Sequence, residues 1–179
     1  MADEEKRLNG ADEQPSSSAL PENGETVSVD LGFTGNYTHG MDAKGRLIVP
    51  AAFREGLGRK FAVCLSPDFK SVALYPLKAW VSRRDEYIAL CARDATMRRV
   101  LDQFTKYSYV DSEMDGQGRL LLPSVLRGRF LADSREVDVN GSYDHIVVED
   151  SRRSRQEDED FERDFDDVLR MIASVQKNG

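Results

Sequence analysis

A ten-residue stretch occurs twice in this chain, as Met41-Asp-Ala-Lys-Gly-Arg-Leu-Ile-Val-Pro50 and as Met114-Asp-Gly-Gln-Gly-Arg-Leu-Leu-Leu-Pro123, with six of the ten positions identical. The two starts lie 73 residues apart. That offset is too long for a solenoid repeat and suits two copies of one small folding unit. The chain therefore reads as an internal duplication, and any structure that one copy builds should have a counterpart in the other.

Each copy carries the chemistry of a tight hairpin. Asp42 and Asp115 suit the first position of a turn, because the carboxylate can accept from backbone N–H groups two residues on. Gly45 and Gly118 suit the last position, which takes a left-handed conformation in a type I turn followed by a bulge. Asp42 and Arg46, like Asp115 and Arg119, then flank one turn and can pair across it.

The first copy reads as strand Asn36 to Met41, turn, return strand Arg46 to Val49, short helix Ala51 to Leu57, and strands Phe61 to Leu65 and Val72 to Tyr75. A helix from Leu77 to Leu90 follows, and Asp94 is expected to open another. Met97, Val100, Leu101, Phe104 and Tyr107 form an apolar stripe along it. Copy two repeats the order with strand Tyr107 to Met114, strand Arg119 to Leu122, helix Ser124 to Phe130, and strands Glu136 to Asn140 and His145 to Val148. Last come a polar stretch from Glu149 and a helix with Phe161, Phe165, Val168, Leu169 and Ile172 on one side. Two β-β-α-β-β units of this size each expose a sheet face, and packing them together would bury it in a common barrel. The fold class is α+β.

Net charge is −7 over 179 residues, which looks wrong for a nucleic-acid binder until it is divided. Residues 1–33 hold two basic and eight acidic groups, 149–179 six and ten, and 34–148 seventeen and fourteen. The acidity sits at the ends and the duplicated middle is mildly basic. Residues 1–32, rich in Ser, Glu, Asp and Pro, are expected to be a disordered acidic extension. The remaining divisions are 33–76 for the first repeat, 77–106 for connecting helices, 107–149 for the second repeat and 150–179 for an amphipathic helix and tail. No apolar run follows the N-terminus, so neither a signal peptide nor a membrane association is expected. Cys64 and Cys91 have no metal-ligand or disulfide spacing, and His39 and His145 lack neighbouring ligands, so neither metal nor cofactor is expected.

The two Asp-x-x-x-Arg motifs, each continued by an apolar triplet and Pro, together with Leu74-Tyr75-Pro76-Leu77 leading to Trp80 and with Arg98-Arg99, resemble the MraZ family. These are bacterial transcriptional regulators encoded at the start of the division and cell-wall gene cluster. The resemblance covers about residues 33–175. It implies an AbrB-like swapped-hairpin β-barrel, ring-like homo-oligomers in the cytoplasm and nucleoid, and binding to double-stranded DNA at repeated promoter sites. It places DNA binding in the Asp-x-x-x-Arg region, hence at Arg46 and Arg119 with Lys44 at the turn tip. The second copy has Gln117 in place of Lys44, so the two hairpins need not contribute equally. The N-terminal extension has no counterpart in the family core, and its acidity is expected to tune binding.

Asp42 and Asp115, with Gly45 and Gly118, are expected to shape the turns. A proton-sharing pair of carboxylates, as in an aspartic protease, would need a raised pKa, whereas an arginine beside each lowers it. No catalytic residue is therefore expected. For Arg46 and Arg119 an ion pair with the motif aspartate is compatible with function, since the free edge of the guanidinium can still grip a phosphate or a guanine edge. Arg54, Arg127 and Arg129 are lesser candidates. The alternative function is an oligomeric protein-binding scaffold. The basic clusters Arg83-Arg84, Arg93 and Arg98-Arg99 read as solvated faces or as a subunit interface for the acidic C-terminal helix.

Overall fold

The structure is a computed structural model that describes residues 31–132 and 134–177; the expected extension up to residue 30 lies outside the described residues. In chain order the elements are β1 (Asn36–Gly40), β2 (Arg46–Ile48), α1 (Ala51–Leu57), β3 (Lys60–Leu65) and β4 (Val72–Pro76). Then come α2 (Leu77–Cys91), α3 (Met97–Lys106), β5 (Tyr109–Glu113), β6 (Arg119–Leu121) and α4 (Ser124–Phe130). The chain continues with β7 (Glu136–Ser142), β8 (His145–Asp150), α5 (Ser151–Arg163) and α6 (Phe165–Lys177). Two runs of β-β-α-β-β, separated by a helix pair, are thus present in the backbone.

The strands do not stay within their own run. An antiparallel six-stranded sheet has the order β1-β7-β8-β4-β3-β5, and β2 pairs with β6 in a separate antiparallel two-stranded ribbon. The first strand of each copy therefore lies against a later strand of the other, Asn36 opposite Asn140 and Lys60 opposite Glu113. Sequence alternation favours β1 and β2 as a local hairpin. Here that hairpin is confined to its tip, where Asp42 N–H donates to Arg46 carbonyl oxygen at 3.0 Å and Met41 bridges Leu47. Beyond the tip the strands diverge, because Leu47 and Leu120 bury fully only when placed opposite each other.

β3 and β4 are interior strands of the sheet and are buried on both faces, as their nearly unbroken apolar run requires. On one face Phe61, Val63, Leu65, Val72 and Leu74 join Leu47, Val49, Phe53, Leu120, Leu122 and Leu126 in the main core, roofed by the ribbon and by α1 and α4. On the other face Ala62, Cys64, Ala73 and Tyr75 pack under Tyr87 of α2 and Phe104 of α3. Met97, Val100 and Leu101 pack on that second cluster, so the α3 stripe faces the core. The helix begins at Met97 rather than at Asp94, whose carboxylate accepts from the Thr96 N–H at 2.8 Å and hydroxyl at 2.7 Å and holds a turn instead.

The polar stretch expected after Val148 is in fact the end of a strand and a helix. β8 runs on to Asp150, whose carboxylate accepts from the N–H groups of Arg152 and Arg153 and caps α5. Beneath that helix, the buried Asp138 accepts from the Thr38 hydroxyl at 2.8 Å and the Ser151 hydroxyl at 2.6 Å. Glu149, its cross-strand neighbour, accepts from Asn140 at 2.9 Å. α5 is thus fixed to β7 by the Ser151 hydroxyl on Asp138 and to the end of β8 by the Asp150 cap, an attachment that apolar periodicity does not report.

Fully burying a leucine is worth about 1.5–3 kcal/mol, and Leu47 and Leu120 are directly opposed at 0% and 1% exposure. Each single truncation to Ala should cost about 2–5 kcal/mol in urea unfolding. The double variant should depart from additivity, since the two side chains share one contact.

Candidate nucleic-acid interface

The two motif turns are built alike. Asp42 Oδ1 accepts from the N–H groups of Lys44 and Arg46, both at 2.9 Å, and Asp115 Oδ1 accepts from Gln117 at 2.9 Å and Arg119 at 3.0 Å. Gly45 N–H closes each ring on Asp42 carbonyl oxygen at 2.8 Å, as Gly118 does on Asp115 at 2.9 Å. The glycines take φ of 79° and 74°, a left-handed conformation that costs a residue with Cβ about 1–3 kcal/mol.

The same carboxylates hold the arginines. Arg46 Nε donates to Asp42 Oδ2 at 2.7 Å, and Arg119 Nε donates to Asp115 Oδ2 at 2.8 Å. Backbone and side-chain hydrogen bonds from Arg46 hold the Asp42 carboxyl below its ordinary 3.8, and those from Arg119 do the same for Asp115. Both aspartates are therefore anions at neutral pH, the opposite of a proton-sharing pair. The Nη groups of both arginines have no hydrogen-bond partner among the described residues, which leaves two NH2 groups, four N–H donors, on each for an outside ligand.

Pairing of β2 with β6 brings the two motifs onto one surface. Leu47 and Leu120 point into the core, so Arg46, Ile48, Arg119 and Leu121 share the outer face of the ribbon. The ladder extends at both ends: Val49 N–H donates to Gly118 carbonyl oxygen at 2.9 Å, and Leu122 N–H donates to Gly45 carbonyl oxygen at 3.1 Å. Each turn is therefore stitched to the other copy's return strand.

Arg54 and Arg127 complete this exchange. Arg54, on the helix of copy one, lies over Gly118 of copy two, and Arg127 lies over Gly45, so closely that a Cβ on either glycine would overlap the guanidinium. Arg54 Nε donates to Val49 carbonyl oxygen at 2.9 Å, which fixes its course. Both arginines are half-buried and act as clamps across the copies. Nothing short-range signals this, although Arg54 and Arg127, like Gly45 and Gly118, coincide at the 73-residue offset. Lys44 is exposed at its tip beside a groove of about 670 Å³ that Leu121, Arg127, Tyr109 and Val110 also line. Arg129 lies elsewhere, over the rings of Tyr107 and Phe130 at 5.5 and 5.1 Å.

The remaining candidates stand apart from the ribbon. Cys64 is buried in the second core, where desolvation pushes its thiol up. His145 stacks on Tyr75 and its Nδ1 lies 2.7 Å from Asp144. Among the described residues no group of three or more His, Cys, Asp or Glu could hold a metal ion, and no helix is long and apolar enough to cross a membrane.

Comparison with known proteins settles the relationship. A family model described as "MraZ protein, putative antitoxin-like" matches residues 33–103. A transcriptional regulator MraZ from Natranaerobius thermophilus is 30% identical over 143 residues, which is 79% of this chain and 96% of the relative. This chain belongs to the MraZ family. Its MraZ relatives also include the transcriptional regulator from Moorella thermoacetica, 34% identical over 141 residues (79% of this chain, 94% of the relative). The one from Lactiplantibacillus plantarum is 30% identical over 138 residues (76% and 94%). The MraZ family model spans the first Asp-x-x-x-Arg turn, α1 and the central strands.

Two outcomes follow from this geometry. Gly118→Ala should destabilise the protein by about 1–3 kcal/mol, and Arg54→Ala in that background should recover part of the loss, because the guanidinium no longer meets the new methyl group. Since the aspartates' folded pKa values lie below their unfolded ones, the pairs contribute above pH about 4 and fade as pH falls through the lowered values. Backbone NMR shifts at Lys44 and Gln117 should accordingly stay constant from neutral pH to about 4 and move only below it.

Proposed function

We propose that this chain is a non-enzymatic, sequence-specific DNA-binding transcriptional regulator of the division and cell-wall gene cluster. The observation that carries the reading is the shared ribbon face, on which Arg46 and Arg119 stand side by side with free Nη donors. From strand rise and interstrand spacing their Cα atoms lie ~8 Å apart, or two to three base-pair steps of about 3.4 Å. A two-stranded ribbon fits the major groove, and an arginine there can donate to guanine O6 and N7. Its aspartate fixes the guanidinium angle before contact, so less side-chain freedom is lost on binding. The relatives' names, transcriptional regulator, agree with this role.

Arg46, Arg119 and Lys44 are assigned to DNA contact, while Arg54 and Arg127 position the tips and present their remaining N–H groups to the phosphates. Asp42, Gly45, Asp115 and Gly118 orient the turns. The exchange of strands between copies supports an AbrB-like swapped-hairpin barrel made of repeats 33–76 and 107–149, joined by helices 77–106 and followed by 150–179. Few cations per chain reach the DNA. Affinity then comes from a ring-like homo-oligomer that places several ribbons on repeated promoter sites, which multiplies weak single contacts through effective concentration. Such a protein works in the cytoplasm, at the nucleoid.

Fluorescence anisotropy on the duplex upstream of its own gene, against a scrambled duplex, tests this. Preference for the native duplex should hold at physiological salt and rise with repeat number. Arg46→Ala or Arg119→Ala should each lose about 1–3 kcal/mol of discrimination, and Lys44→Ala should weaken both duplexes alike. Equal, salt-fragile binding to both duplexes would instead favour a protein-binding scaffold.

A further inference from the structure

The outer face of the ribbon carries two side chains to which the arginine contacts give no role. Ile48 and Leu121 stand two residues after the motif arginines, at the same place in both copies, and are 43% and 62% exposed. Leu47 and Leu120 take the core side of the ribbon, and neither outward side chain joins that core. Strand propensity does not demand an aliphatic group there, since threonine is also a good strand former and has a polar tip.

The register sets these two among the arginines as a checkerboard. Arg46 is opposite Leu121 and Ile48 is opposite Arg119. Each aliphatic side chain therefore has one arginine across the ribbon at ~5 Å and the other along its own strand at ~6.7 Å. Two strands of three residues form by themselves a face far smaller than the ~800 Å² per partner of a stable protein contact. Their width suits a major groove of about 12 Å.

The four ordinary bases present hydrogen-bonding groups in that groove and one apolar group, the C5 methyl of thymine. An arginine finds guanine O6 and N7 there, whereas an aliphatic side chain finds only the methyl. Set against a guanine or cytosine edge, it would cover polar groups without pairing them.

We propose that Ile48 and Leu121 read thymine through its methyl group, as specificity residues beside the arginines. The proposal rests on the DNA-binding reading above and adds what the arginines cannot supply, discrimination at A·T pairs. At about 3.4 Å per base-pair step, these spacings place each methyl within two steps of a contacted guanine. Leu121 has more open apolar surface to cover, so its thymine should weigh more.

The probe is the duplex upstream of this gene with every thymine replaced by deoxyuridine, which removes the methyls and keeps every hydrogen-bonding group. Fluorescence anisotropy at physiological salt should show the full chain binding it about fourfold more weakly than the native duplex for each methyl covered. The double variant Ile48→Ala, Leu121→Ala should lose the same factor on the native duplex and lose nothing further on the deoxyuridine duplex. Both positions are exposed, so its circular dichroism and urea midpoint should match the wild type. Leu121→Ala alone, should the double variant unfold early, should show one methyl's share of the same pattern. Equal binding of native and deoxyuridine duplexes by a protein that still rejects the scrambled duplex would overturn this proposal and leave the arginine reading intact. An equal deoxyuridine loss in wild type and variant would also overturn it, because the methyls would then be sensed elsewhere. A protein that does not distinguish native from scrambled duplex would overturn the base-reading function and this proposal with it.

Discussion

The pairing of β2 with β6 is the contact on which the rest of this molecule depends. Three opposed pairs, Arg46 with Leu121, Leu47 with Leu120 and Ile48 with Arg119, join the two copies of one motif. The leucine pair supplies burial and the flanking positions supply an outer face. Because the ribbon is shared, neither copy can complete its core alone: α1 and α4, the central strands and both return strands contribute to one apolar cluster. Two isolated hairpins would leave Leu47 and Leu120 in water, a loss of about 1.5–3 kcal/mol each.

Electrostatics then act at short range on this frame. Each motif aspartate serves three ends with two oxygens: it caps the turn, fixes the guanidinium, and stays ionised at neutral pH. The exposed pair contributes little to stability, as surface ion pairs do. Its effect is on direction, since an arginine anchored through Nε keeps its Nη donors aimed outward. The clamps from Arg54 and Arg127 limit the turns from the other copy's side. Asymmetry between the tips rests on Lys44 against Gln117, both exposed.

Much of this was legible along the chain. The duplicated decapeptide is plain in the residues themselves, and the Asp-x-x-Gly turns, the short helices after Pro50 and Pro123 and the α3 stripe rest on spacings of four residues or fewer, where backbone geometry decides. The boundaries that moved did so for nameable reasons. Asp94 spends its carboxylate on Thr96 and delays α3, and Asp150 caps a helix whose residues look like a charged linker. The bonds from Ser151 to Asp138 and from Asn140 to Glu149 join polar residues that no hydropathy pattern would bring together.

By itself the sequence determined that there are two equivalent units, where their turns fall, and that an arginine stands four residues after an aspartate at each. Those features depend on local dihedral preference and on hydrogen bonds between near neighbours. Only the tertiary structure decided which strand pairs with which, that Arg46 and Arg119 share a face, and that Arg54 and Arg127 guard the other copy's glycines. Two identical motifs satisfy local rules equally well whether their strands pair within a copy or between copies. The choice is made by the burial of Leu47 against Leu120, a contact that spans 73 residues.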